Sequence, residues 1–254
     1  MEGVMPKINV YLPDDLAAAV KTANVPVSQI CQLALAEAVR SVGTARRAIR
    51  SMRDPAFDAS RSTRFADRVG GRMTPRLRHV VDLAGETAGP DGRVGTRELL
   101  LGLLAEGGNL ALGVLPTLLV DLDDLRTAIE QSTVAEAAPT SAATEATGST
   151  GWPPLTVPAQ QAFASALEAS IDLAHNYLGC EHLLLGMVAE PDSAAGRVLR
   201  DLGVEPAVAR RAVTSALAGF VQARKAGSPP PPDALDSIMR RVEAIERRLD
   251  AGDN

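Results

Sequence analysis

Gly95–Gly107, GTRELLLGLLAEG, and Gly179–Pro191, GCEHLLLGMVAEP, read as one buried helix written twice. Adding 84 to a number in the first stretch lands on its counterpart in the second: Gly95 on Gly179, Leu99 to Leu101 on Leu183 to Leu185, Gly102 on Gly186, Ala105-Glu106 on Ala189-Glu190. The register continues without a gap through Val114-Leu115 on Val198-Leu199 and Ala128-Ile129 on Ala212-Val213. An internal repeat of this kind is one supersecondary unit used twice. Its nearly continuous apolar face has to be covered by neighbouring helices.

Working outward, the sequence divides into seven parts. Residues 73–132 and 152–225 are the two helical repeats, joined by an Ala/Thr/Ser linker at 133–151 that is too poor in large apolar groups to pack. Before them lie a strand-helix-helix segment, 1–42, and an Arg- and Ser-rich connector, 43–72, with little periodicity. After them come a stiff Pro-rich spacer, 226–232, and a terminal segment, 233–250. There Leu235, Ile238, Val242, Ile245 and Leu249 form an a/d seam over two heptads. So short a seam is marginal alone. It is either a dimeric coiled coil, helped by a second dimer contact elsewhere in the chain, or a solvated amphipathic helix. The expected fold class is mainly α, in keeping with aromatics at only 3% and abundant Ala and Leu.

Charge is uneven. Residues 1–79 hold 13 Lys/Arg against 7 Asp/Glu, whereas residues 80–254 hold 13 against 24. A basic end on an acidic chain suits an appended nucleic-acid-binding module. Two cysteines outside any CxxC pattern, Cys31 and Cys180, give neither a disulfide framework nor a zinc site. No apolar run approaches a membrane span and no export signal is visible, so the expected location is cytoplasmic, with no membrane partner.

In KINVYLP, residues 7–13, Ile8, Val10 and Leu12 share one face and Lys7, Asn9 and Tyr11 the other. Pro13 and Asp14-Asp15 start a helix, and Ser28 suits the N-cap of a second one carrying Ile30, Ala34, Leu35 and Val39. This stretch resembles the ribbon-helix-helix family. The resemblance implies a homodimer whose two strands pair as an antiparallel ribbon in the DNA major groove. Lys7, Asn9 and Tyr11 would then read bases, and the helix start at Ser28 and Gln29 would clamp a phosphate. Tyr11 is also suited to stacking or to a phosphate contact. The plainer alternative is a strand that only dimerises.

HNYLGCEHLLLGMVAE, residues 175–190, resembles the N-terminal repeat domain of the Clp/Hsp100 unfoldases, especially the ClpC type, and residues 73–132 resemble it more loosely. The resemblance implies two pseudo-symmetric four-helix units that dock adaptors, phosphoarginine-tagged substrates or cyclic antibacterial peptides. The phosphoarginine sites of the family use a Thr-Glu pair in each repeat. Here the first repeat has Thr96-Arg97-Glu98, where Arg97 would repel a guanidinium, and the second keeps a pocket at Cys180 and Glu181. The apolar peptide surface would fall on Met73, Val80, Val81, Leu155 and Phe163, although Val81 and Phe163 equally suit the core. His175, Cys180, Glu181 and His182 lie close in sequence, but their spacing matches no zinc motif.

No Gly-Lys pair occurs in this sequence, so no phosphate loop of the unfoldase ATPases is present in it. The expectation is a protein without catalysis, cofactor or metal. It would be a dimeric DNA-binding autoregulator, whose ClpC-like domain senses or sequesters apolar or cyclic peptides or degradation signals, as in antibiotic resistance. The alternative is an adaptor or decoy of the ClpC/ClpP machinery whose N-terminal module only dimerises.

Overall fold

The computed structural model describes residues 9–23, 26–90, 92–140 and 152–225 and is mainly helical. The chain divides into two compact units, one ending at Thr44 and the other beginning at Ala45.

The first unit contains α1 (Asp14–Thr22) and the start of α2 (Val27–Met52). The Pro13 carbonyl accepts the first helical bond of α1, from Ala17 at 2.9 Å. At α2 the equivalent carbonyl is that of Pro26, which accepts from Ile30 at 3.2 Å. Ser28 therefore lies inside the first turn and is not the cap expected of it. A proline has no N–H to leave unsatisfied just ahead of a helix, which lets α2 begin two residues early, at Val27 rather than Gln29. Residues 9–13 of the expected ribbon are irregular, and its first two residues, Lys7 and Ile8, lie outside the described residues. Leu16, Val27, Ile30, Leu35 and Val39 are all exposed.

In the second unit, the last turns of α2 bury Ala45, Ala48, Ile49 and Met52. That spacing of 3, 1 and 3 is one helix face, while Arg46, Arg47 and Arg50 stay exposed. The segment 43–72, expected to be a linker, is thus folded. After α2 come a short 3₁₀ turn at Ala59–Arg61 and α3 (Thr63–Gly70). Its arginines are engaged as well: Arg53 lies 2.9 Å from Glu168. Asp58 is 3.1 Å from Arg93. Burial alone would raise the Asp58 pKa, but hydrogen bonds from Ser60 and Arg93 outweigh it and hold the carboxylate below its usual range.

The first repeat comprises α4 (Pro75–Ala88), α5 (Thr96–Glu106), α6 (Leu110–Val114), which runs into a 3₁₀ turn at Leu115–Leu118, and α7 (Leu122–Glu130). The second comprises α8 (Val157–Asp172), α9 (Cys180–Val188), α10 (Ala194–Asp201) and α11 (Pro206–Lys225). Their caps correspond. Thr74 accepts from the Leu77 N–H and Thr156 from the Ala159 N–H, each at 3.2 Å.

Two isolated parallel bridges then exchange the repeats' entry segments: Met73 pairs with Leu178 and Val94 with Leu155. Thr74 donates to the Leu178 carbonyl at 2.9 Å, and Thr156 to that of Val94 at 3.0 Å. Each repeat is therefore tied at its start to the turn before the other's central helix, and one core runs through both. The glycines in the central helices allow the close packing. A Cβ at Gly102 would lie 2.5 Å from the Val80 carbonyl oxygen, and one at Gly186 would overlap that of Ala162.

Residues 133–140, expected to be unpacked linker, form an irregular strap held to this body. The Val157 N–H donates to the Ala137 carbonyl at 2.7 Å, and the Thr140 N–H to that of Pro55 at 3.1 Å. Small residues bind here through backbone and carboxylate groups, so the lack of large apolar side chains did not prevent it. Residues 141–151, the spacer 226–232 and the a/d seam of 233–250 lie outside the described residues. Among the described residues no single helix is long and apolar enough to cross a membrane.

Candidate functional site

The most organised polar constellation lies where three helix starts converge, at α5, α8 and α10. A helix start leaves N–H groups without intrahelical partners and attracts negative charge. The Glu136 side chain of the strap meets them. Its Oε2 accepts from the Thr96 N–H at 2.9 Å and the Thr156 hydroxyl at 2.7 Å. Its Oε1 accepts from the Ala194 N–H at 3.0 Å and from the Thr96 hydroxyl. A carboxylate has about four acceptor positions, and all are used. Gly95, the N-cap of α5, leaves the space, since a Cβ there would lie 2.7 Å from Glu136 Oε2.

The counterpart at α9 is closed. Gly179 is again the N-cap, but the carboxylate beside it belongs to Glu181 of the same helix. Cys180 and Glu181 are both buried, so the phosphoarginine pocket expected at these two residues is filled from within. Burial raises the Glu181 pKa; the backbone and Tyr177 hydrogen bonds offset this only in part. Burial and the nearby Glu181 and Glu106 carboxylates push the Cys180 thiol well up, which makes it a poor nucleophile. In the first repeat Arg97 turns the other way, to Glu98 at 3.1 Å and the Glu130 carbonyl at 3.2 Å.

His175, Glu181 and His182 bring three potential metal ligands together. The hydrogen bonds assign the rings another role. His182 Nδ1 accepts from the Gly179 N–H at 2.9 Å, so its proton sits on Nε2 and is shared with His175 Nδ1, also at 2.9 Å. Burial, with His175 and Arg72 adding to it, pushes the His182 pKa down to about 3. The ring is neutral, and its 3.3 Å approach to Glu181 is not an ion pair. This pair caps α9 as Glu98 caps α5, where the Gly95 N–H donates to Glu98 at 2.9 Å.

The other expected site residues separate into two groups. Asn9, Tyr11, Ser28 and Gln29 are exposed, Tyr11 at 93%. Met73, Val80, Val81, Leu155 and Phe163 are buried and belong to the shared core, so they line no peptide surface. Packing of each repeat's first helix against the next consumes that face, and Trp152 closes over Phe163 edge-on at 5.4 Å. Sequence reasoning missed Glu136. The signal was slight: a single acidic residue in TVAEAAPT, in a segment without periodicity.

A double-repeat helical domain with one shared core is the class this fold defines. Residues 154–253 match the Clp repeat (R) N-terminal domain family. Over 170 residues, 66% of this chain and 18% of the relative, the sequence is 35% identical to "Chaperone protein ClpC2, chloroplastic" of Oryza sativa subsp. japonica. Over 159 residues, 62% of this chain, it is 35% identical to "ATP-dependent Clp protease ATP-binding subunit ClpA homolog" of Porphyra purpurea, of which it again covers 18%. The N-terminal domain of the chaperone ClpD from Arabidopsis thaliana aligns in structure with a TM-score of 0.41 and 28% identity, over 58% of this chain and 95% of that one. Over residues 154–253 the chain is thus similar to the Clp repeat N-terminal domain family, and it spans less than a fifth of the length of the two Clp relatives.

Proposed function

We propose that the protein is a non-catalytic, dimeric, DNA-binding autoregulator whose Clp-type repeat domain docks extended peptides, sensing or sequestering them. The observation that carries the dimer is the uncovered apolar set Leu16, Val27, Ile30, Leu35 and Val39 in the N-terminal unit. A row of this kind on α1 and the start of α2 is stabilised by a second copy of itself. Its neighbours Asn9, Tyr11, Ser28 and Gln29 are exposed, as base and phosphate contacts require. Docking is supported by the cradle, where an irregular segment is held by hydrogen bonds to three helix starts.

A second reading, an adaptor or decoy for the ClpC/ClpP machinery, is favoured by the arginines. Arg53 and Arg61 of the basic segment are paired with Glu168 and Asp58, which leaves fewer free charges to track phosphates. Sedimentation of the full chain at micromolar concentration is expected to give a dimer, and Ile30→Asp a folded monomer. A mobility shift on DNA from its own promoter, lost with Lys7→Ala and Asn9→Ala, supports the regulator. A dimer without a shift supports the adaptor, and a wild-type monomer removes both.

A further inference from the structure

We propose that Thr133–Thr140 is a built-in pseudo-ligand: its Glu136 carboxylate occupies a cradle that otherwise takes an acidic, extended peptide from a partner protein. This deepens the docking half of the function above and rests on it, independently of DNA binding.

The cradle is built without its occupant. The Thr96 hydroxyl accepts from the Ala195 N–H at 3.0 Å, and the Thr156 hydroxyl from the Ala159 N–H at 3.2 Å. Each hydroxyl has one proton, and with its oxygen committed to a helix cap that proton is directed at Glu136. Both threonines are buried, Thr96 at 0% and Thr156 at 7% exposure. Lifting Glu136 away therefore leaves four donors converging on one point, two hydroxyls and the N–H groups of Thr96 and Ala194. The helices themselves cannot satisfy them.

The occupant is lightly held. Its sequence, TVAEAAPT, has no aromatic or long aliphatic anchor. Two backbone hydrogen bonds, Val157 N–H to Ala137 and Thr140 N–H to Pro55, follow Glu136 along the strap. Segments with so few apolar contacts open at the low end of a protein's range of local stabilities. Release also needs no movement of α5, α8 or α10, because the strap belongs to none of them.

The chemistry of the donors selects the ligand. Four uncharged donors match the acceptor positions of one planar monoanionic carboxylate. A phosphate dianion brings a third oxygen and a second charge that these groups do not neutralise. The strap defines the fitting sequence: an extended run of small residues around one Glu, with a carbonyl following it to meet the Val157 N–H.

The test uses the full chain and a fluorescein-labelled peptide of sequence TVAEAAPT. The Glu136→Ala chain is expected to bind this probe about tenfold or more tightly than wild type, because removing an internal competitor raises the fraction of open cradles. The same peptide carrying Glu136→Gln is expected to bind neither chain, and Thr96→Val added to Glu136→Ala to abolish binding. Equal binding to wild type and Glu136→Ala overturns the pseudo-ligand while leaving docking intact. Binding to neither chain removes both, and displacement of the probe by inorganic phosphate overturns the carboxylate assignment. Should Glu136→Ala unfold, hydrogen exchange on wild type decides. The amides of Thr96, Val157 and Ala194 are expected to exchange faster than those of Leu99–Leu104, with little dependence on denaturant. Exchange of these amides only through global unfolding overturns the proposal.

Discussion

The two repeats share a backbone and differ at the side chains that begin their central helices. Both use glycine as N-cap, both cap that glycine's N–H from the third helical position at 2.9 Å, and both bring the central helix against the preceding one through a glycine. At the first helical position, however, Thr96 offers a hydroxyl, while Cys180 offers a thiol beside two carboxylates. At the second, Arg97 turns outward and Glu181 inward. Packing constraints act on both copies alike, so backbone-dictated features survive duplication. Groups facing the cleft between copies are free to diverge, and one cleft has become an anion cradle while the other is filled from within.

The largest effect expected is in the core that joins the copies. Phe163→Ala should cost about 3–5 kcal/mol in urea unfolding, as for a fully buried aromatic. A residue on an open peptide surface would cost within about 0.5 kcal/mol, and that result would return Phe163 to the docking surface. Next come the central glycines. Gly186→Ala and Gly102→Ala are each expected to lose roughly 1–3 kcal/mol, because the added methyl meets a helix carbonyl with nowhere to move. Loss in only one of the two would break the symmetry argued from the bridges.

Acid should separate the copies further. His182 is held neutral down to about pH 3, whereas its ordinary value is 6.5. Between these the unfolded chain binds more protons than the folded one. The stability this supplies is complete above about pH 6.5 and drains as pH falls toward 3, with a slope of at most about 1.4 kcal/mol per pH unit. Glu181, raised by burial, acts in the opposite sense: its contribution is present at low pH and is lost as pH rises through its folded value. The first repeat has Glu98 in the His182 position and no such histidine. Midpoints measured from pH 8 to pH 4 should therefore fall less steeply for His182→Gln, which keeps a cap, than for wild type. Parallel curves would refute the neutral-pair account.

Legibility in the sequence followed the same division. The duplication and its two sets of helices were visible because apolar periodicity and an unbroken register carry long-range information. The helical face Ala45, Ala48, Ile49 and Met52 was equally periodic, yet Arg46, Arg47, Arg50 and Arg53 between its members gave the segment the look of a solvated connector. Glu136 was not legible. Its partners Thr96, Thr156 and Ala194 lie 40, 20 and 58 residues away, and each of them looks locally like an ordinary helix start. Met73, Val80, Val81, Leu155 and Phe163 were misplaced for a related reason: periodicity identifies an apolar face but does not say whether the protein itself covers it.

The smallest effects concern single groups at the helix starts. Glu98→Ala should cost roughly 1 kcal/mol, the worth of one capping interaction. The thiol comparison needs no mutation. Cys180 is buried and its pKa is pushed up by burial and by Glu181 and Glu106, so little thiolate forms there at neutral pH. Cys31 in α2 is partly exposed. Iodoacetamide on the native chain, read by mass spectrometry, should label Cys31 first and leave Cys180 until the repeat domain unfolds. Labelling of Cys31 should also slow as protein concentration rises through the dimerisation range, since a second copy would cover α2, whereas Cys180 should not respond to concentration. Equal rates at both thiols would mean that the cleft of the second repeat is open, and would remove the contrast between a filled pocket and a strapped one.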